Sequence, residues 1–328
     1  MDDLMRGWLS GLAMGEIQQH SSLALMPLFL PEERGPAYLT LSEALEAHVL
    51  SVTELDDGGS VPELKVANKG DACVLLLDGE EVAGAKQNRV LNTTILLRPQ
   101  SETVIPVSCT EHGRWSAISA EFMDSGVVMN ARSRRRQTAR VSSAMAAVGA
   151  ARSDQRQVWG DIAELAADMG VQPPTGAMRD VFAKAEGDLD AYLSAFPCLP
   201  GQHGILALIG DAVVGFDLLS RSSPYARLHP KLVRSVALDA LRERRRSCDH
   251  PPVARVAAFI EDATACEQQQ YPSVGLGHDL RFQSARVVGS ALLVDGTPVH
   301  CALFPAPDSD QADPMASYRQ RRGFRGGR

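Results

Sequence analysis

The sequence contains no stretch of about 20 apolar residues, the length a membrane-spanning helix requires. The best candidate, Leu23 to Leu30, is interrupted by Pro27. Little points to a secretory leader, and export is not expected: Met1-Asp2-Asp3 places acids where bases would stand, and no apolar core follows directly. The expectation is a soluble, cytoplasmic protein. The six cysteines, Cys73, Cys109, Cys198, Cys248, Cys266 and Cys301, include no close pair. Zinc ribbons and Cys-x-x-Cys redox motifs are therefore excluded, and the cysteines read as reduced thiols. Positive charge is not in excess either. A formal net charge of -7 argues against a general nucleic-acid binder, whose affinity comes largely from neutralising phosphates. No repeat of fixed period occurs.

What remains, 328 residues with 45% apolar and 22% charged, is enough for one large domain or two closely packed halves. Met5, Trp8, Leu9 and Leu12 have helical spacing, so a docking helix is expected within Met1 to Gln19 and forms the first unit, residues 1–22. Short extended runs follow at Ala24–Leu30, Val49–Thr53, Glu63–Val66, Ala72–Leu77, Val90–Leu97 and Thr103–Cys109, separated by turn formers such as Asp57-Gly58-Gly59 and Asn68-Lys69-Gly70. Thr40-Leu41-Ser42-Glu43 has capping-box spacing and opens a short helix to about Ala47.

The middle is helical by periodicity. Val158, Ile162, Leu165, Ala166 and Met169 form one apolar stripe closed by Gly170. Further helices are expected near Ala177–Lys184 and Asp188–Ala195, then two more opened by Pro230 and by Pro251-Pro252. Two hairpins flank these last helices, turning at Gly210-Asp211 and Asp295-Gly296. Strands, then helices, then strands predict an α+β fold: mostly antiparallel sheet in the first third, a helical middle, and C-terminal helices with antiparallel hairpins. Residues 23–304 form the single domain, with sub-halves 23–125 and 126–304. Residues 305–328, rich in Pro, Asp and Ser and then in Arg and Gly, read as a disordered tail.

The densest set of chemically capable residues lies between Asp78 and Trp115. Glu80, Glu81, Lys86, Gln87, Asn88, Arg89 and Asn92 place acids, amides and bases between two apolar strands. Lys86, Gln87, Asn88, Arg89 and Asn92 together read as a ligand-facing rim; the alternative is a charged loop whose amides satisfy the backbone. Cys109 beside Glu111 would supply a nucleophile and a base, although burial as a small apolar residue is the commoner fate of a lone cysteine. Glu80, Glu81, Glu111 and His112 could instead gather a divalent cation, the one cofactor class left open, but without a metal-site spacing. Arg114 and Trp115 would hold an anion and stack a base, and Trp115 serves equally as a core anchor. Arg132, Arg136 and Arg140 share one helical face, to grip phosphate or to be solvated. Ser273 to Phe282 reads as a glycine-bearing loop carrying His278, Asp279 and Arg281; lacking a third glycine that opens a helix, it is no dinucleotide fingerprint. His300 and His203 read as structural histidines.

Leu77-Asp78-Gly79-Glu80-Glu81, Gly84 to Arg89, Asn92-Thr93-Thr94, Ile105 to Cys109, Glu111 and Gly113-Arg114-Trp115 together resemble the ARPP family, the "ARG and Rhodanese-Phosphatase-superfamily-associated Protein" domain. Gly275-Leu276-Gly277 and Asp279-Leu280-Arg281 are similar too, and the resemblance covers most of Leu23 to Phe304. It implies a bacterial protein linked by association, not by chemistry, to ADP-ribose or NAD metabolism. The expected function is a hydrolase-like enzyme that binds a phosphorylated, nucleotide-type small molecule. Lys86, Arg89 and Arg114 would neutralise phosphate, Gln87, Asn88 and Asn92 would read hydroxyls or a base, and Glu80, Glu81 or Glu111 would act as base. The alternatives are a ligand sensor, or an assembly partner that forms homo-oligomers. RNA contact through the Arg132 to Arg140 face and the tail is the weakest reading.

Overall fold

Alternation of apolar residues along the last strands decides the architecture, because it gives one sheet two buried faces. The structure is a computed structural model and describes residues 1–55, 62–114, 116–243 and 253–307. In chain order, α1 (Asp3–Ser10) precedes β1 (Ala13–Met14), β2 (Gln18–His20), β3 (Leu23–Phe29), β4 (Tyr38–Thr40) and α2 (Leu41–Glu46). Eight strands follow: β5 (Leu50–Thr53), β6 (Glu63–Asn68), β7 (Cys73–Leu76), β8 (Glu80–Gly84), β9 (Arg89–Leu91), β10 (Ile95–Leu97), β11 (Ser101–Cys109) and β12 (Phe122–Val128). Then come α3 (Ala131–Val148), α4 (Gln155–Asp168), α5 (Met178–Lys184) and α6 (Glu186–Ala195). The chain continues through β13 (Gly204–Ile209), β14 (Ala212–Leu219), α7 (Ser222–Glu243), α8 (Val253–Thr264), β15 (Glu267–Pro272), β16 (His278–Gln283), β17 (Val287–Val294) and β18 (Thr297–Pro305).

The protein has an α+β fold. Its largest sheet runs β1-β3-β13-β14-β18-β17-β16-β15, with β2 also on β3, and every pairing is antiparallel. One face, through Met26, Leu206, Leu218, Cys301 and Leu303, packs on α1 and α8. The other, through Leu25, Ala207, Ala302 and Phe304, packs on the helices of the middle. The period of two along each strand produces both cores at once.

The first third forms a six-stranded antiparallel sheet, β12-β8-β9-β11-β6-β5, and a three-stranded one, β10-β7-β4, in which β4 and β7 are parallel. Strand β12 returns alongside β5, so the two sheets enclose a core of Val52, Leu64, Val82, Leu91, Ile95 and Val107. Leu75, Leu77 and Leu96 then pack against Tyr225, Leu232 and Leu292, uniting the halves expected at 23–125 and 126–304.

Several expectations need correction. The N-terminal helix stops at Ser10, after which β1 and β2 extend the sheet. The run Val90–Leu97 is two strands, because Asn92, Thr93 and Thr94 direct their side chains to buried polar partners instead of continuing the ladder. The glycine loop ends at Gly277, and His278 to Gln283 is the strand β16. Helix α7 begins at Ser222, with Pro230 inside it, since Tyr225, Leu228 and His229 are buried. The Thr40 capping box is present as expected. Of the tail, only 305–307 falls within the described residues. Among the described residues no helix is long and apolar enough to cross a membrane.

Candidate functional site

Strand β8 carries Glu80 and Glu81 to opposite faces of its sheet. Glu80, fully buried, receives a hydrogen bond from Lys231 Nζ at 2.8 Å, and Lys231 also lies 2.7 Å from Asp124. Burial pushes the Glu80 carboxyl up; on Lys231 burial works downward, but Glu80 and Asp124 outweigh it and hold the ammonium charged. Glu81 faces the helices. Its Oε1 accepts from the Thr110 hydroxyl at 2.5 Å, and its Oε2 is buried with no hydrogen-bond partner. Burial raises its pKa to about 7, against the pull of Thr110, Ser125 and Arg179 and with a further push from Glu111. The carboxyl is thus poised between its two forms at neutral pH.

The backbone opposite Glu81 is unusual. Asp124 pairs with Val82 and Val128 pairs with Glu80, so three residues, Ser125, Gly126 and Val127, stand opposite Glu81 alone. Gly126 has φ of 74°, which a glycine adopts without strain. This bulge opens the sheet at Glu81. Ser125, Gly126 and Val127 line a cleft of about 180 Å³ together with Arg179 and Phe182 of α5 and Arg234 of α7.

Glu111 lies just past β11 and is clamped by Arg114, at 2.9 Å from Nε and 2.6 Å from Nη2. It also accepts from Thr175 at 2.7 Å and from the Asn88 backbone N–H. Burial would raise its pKa, but these donors outweigh burial and hold it below the usual range. Two backbone bonds, Gly113 N–H to Thr175 O and Met178 N–H to Thr110 O, sew this corner to the entrance of α5. The two carboxyls are therefore driven apart: Glu111 stays ionised while Glu81 shares its proton.

The other predicted residues are distributed elsewhere. Asn88 joins the corner through Arg114 at 3.2 Å. Arg89, fully buried, pairs with Glu54 and with the Gln87 backbone oxygen, and Lys86 is half-buried in the turn. Cys109 is buried, its thiol pushed by that burial to about 11 and so protonated; Glu111 turns to Arg114 instead. Asn92 binds Ser108 and the Ala151 carbonyl beneath α3. Asp279 and Arg281 close on Thr93, whereas His278 is exposed on the other side of β16. Glu80, Glu81, Glu111 and His112 do not converge on a cation. Among the described residues no group of three or more His, Cys, Asp or Glu is placed to hold a metal ion. Trp115 lies outside the described residues.

Arg132, Arg136 and Arg140 are spent on the neighbouring helix: Arg136 and Arg140 each reach Asp161 at 2.6 Å, and Arg132 reaches Glu164 at 3.1 Å. His300 is fully buried between Thr94 and Asp217, beside Arg134, which bridges Asp78 and Asp217. Sequence reasoning missed Ser125, Arg179 and Thr175. Asp124-Ser125-Gly126 inside a strand is a bulge signal that pointed to the first; nothing local marks the other two.

No curated protein and no solved structure matches the chain. The family model described as "ARG and Rhodanese-Phosphatase-superfamily-associated Protein domain" matches residues 11–304, which takes in all three sheets, Glu81, Glu111 and the bulge opposite them. The chain belongs to that family, ARPP-1.

Proposed function

We propose that this protein is a cytoplasmic, hydrolase-like enzyme acting on a phosphorylated, nucleotide-type small molecule such as an ADP-ribose derivative, with Glu81 as its acid–base group. The observation that carries the reading is the three-residue bulge facing Glu81. Its three residues line a cleft and stand opposite a buried carboxyl whose pKa is about 7. A group that can both give and take a proton at neutral pH suits general acid–base chemistry. Arg179 on the cleft rim supplies positive charge for a phosphoryl group, and Glu111, fixed by Arg114, keeps the corner rigid. The family's association with the rhodanese-phosphatase superfamily, carried in its name, supports a phosphorylated ligand by association.

A thermal-shift screen of the full chain with ADP-ribose, NAD, AMP and cyclic nucleotides, followed by turnover assays, tests this, since a ligand bound by the native state raises its melting temperature. A shift lost in Arg179→Ala, with turnover lost in Glu81→Gln, is expected. Turnover undiminished by Glu81→Gln would overturn it.

A second reading has its own observation. Glu111, Arg114, Asn88 and Thr175 already satisfy one another. That is how a non-catalytic sensor or assembly module would look, and the exposed apolar side chains of Ile118 and Met123 suit an assembly surface. Ligand binding without turnover, or oligomerisation without ligand binding, would favour it.

A further inference from the structure

A larger cleft, of about 700 Å³, shares no lining residue with the one at the bulge. It lies between α4 and residues 170–176, with His112 and Trp159 also in its lining. Gly160, Ala163 and Ala167, spaced i, i+3 and i+7, form a strip of small residues on its α4 wall, which Trp159, Ile162 and Ala166 complete. Pro173 and Gly176 face them. The result is a mainly apolar shelf, open to solvent at Gly160, Ala163 and Ala167, of a volume within the range of small-molecule sites, about 300–1,000 Å³.

Its polar content is sparse and specific. Trp159 and His112 meet edge to face, with ring centroids 4.3 Å apart and planes at 83°. The Trp159 indole N–H is closed off from solvent and has no acceptor. A buried donor left unpaired is costly, and an acceptor brought by a ligand would relieve that cost. Aromatic edges beside a smooth shelf favour a flat ring over a flexible chain.

We propose that this cleft binds a planar heteroaromatic ring carrying a hydrogen-bond acceptor. The ring lies on the Gly160–Ala163–Ala167 shelf, and a rotation of the Trp159 indole brings its N–H onto the acceptor. The site stands on its own walls; only the identification of this ring with the base of a nucleotide-type substrate rests on the proposed function. The link is physical as well, because Gly176 and His112 of this cleft adjoin Thr175 and Glu111.

The test uses the full chain labelled with ¹⁵N. The protein has three tryptophans, so its indole cross-peaks are few, and Trp159→Phe assigns the relevant one. Titration with adenine and, separately, quinoline should move the Trp159 cross-peak saturably. Ala163 is exposed, so Ala163→Phe leaves the fold intact while filling the shelf, and it should weaken both probes at least tenfold. Glu81→Gln should leave adenine affinity within twofold even where it abolishes turnover, which separates failure of this site from failure of the acid–base reading. The proposal is overturned if neither ring gives a saturable shift, or if the shift survives Ala163→Phe. A shift produced only by an apolar helical peptide would also overturn it, and would make the cleft a protein-docking groove.

Discussion

Thr93 donates its hydroxyl to Asp279 across 2.6 Å, tying the first third of the chain to the last sheet. Arg281 donates to the same hydroxyl at 2.7 Å and to Asp279 at 2.6 Å, so three buried side chains close a triangle. The neighbours of Thr93 act likewise. Asn92 reaches the Ala151 carbonyl, and Thr94 reaches Asp78 and His300. One tripeptide between two short strands thus pins three separate parts of the molecule.

Replacing Thr93 by valine keeps the volume and removes the hydroxyl, leaving Asp279 and Arg281 with one bond to each other in a buried place. The expected loss is about 2 kcal/mol, measured as a lower denaturation midpoint in urea at unchanged slope. Thr93→Ser should recover most of it. Equal stability of the valine and serine variants would show that the triangle contributes nothing.

Gly79 has φ of 81°, and a Cβ placed there would stand 2.9 Å from Cγ, Cδ and Nε of Arg134. Arg134 cannot yield, because its guanidinium is held by Asp78 and Asp217. Gly79→Ala therefore combines left-handed backbone strain with overpacking against a fixed side chain, and should cost about 3 kcal/mol. A melting curve close to that of the native protein would contradict the rigidity assigned to Arg134.

Much of the framework was legible in the sequence because it depends on local rules. The Thr40 capping box, the apolar stripe of α4 and the Asp295-Gly296 hairpin each follow from residues within a few positions of one another. The Asp78 to Trp115 segment was legible as polar and dense, and Glu81, Thr110, Glu111 and Arg114 do meet there. What could not be read was which face each residue takes. Glu80 and Glu81 differ by one position and so serve different centres, and Asn92, expected on a rim, faces inward together with Thr93 and Thr94. Lys231 and Arg179, the cations beside the two glutamates, lie more than 90 positions away and carry no local mark.

Lys231 bridges Glu80 and Asp124, and it is itself buried. Lys231→Met would leave two carboxylates facing each other in a core, which should destabilise the protein by about 3–5 kcal/mol near neutral pH. Adding Glu80→Gln removes one of those charges, so the double variant should be more stable than Lys231→Met alone. A strictly additive pair would show that Lys231 and Glu80 are not coupled.

The raised pKa of Glu81 sets a pH dependence with a definite sign. In the unfolded chain this carboxyl titrates at its ordinary 4.5, and in the folded protein near 7, so between these values the native state holds the extra proton. Stability therefore falls as pH rises through this window, the reverse of a salt-bridged carboxylate. Across the whole window the fall amounts to about 3 kcal/mol. Glu81→Gln keeps the shape and cannot ionise, so its stability relative to the native protein should be near equal at pH 4 and higher by up to that amount at pH 8. Chemical denaturation of both proteins across that range, taken as a difference, cancels the other titrating groups. A difference that stays flat with pH would mean that Glu81 ionises as an ordinary carboxyl and is not poised for proton transfer at neutral pH.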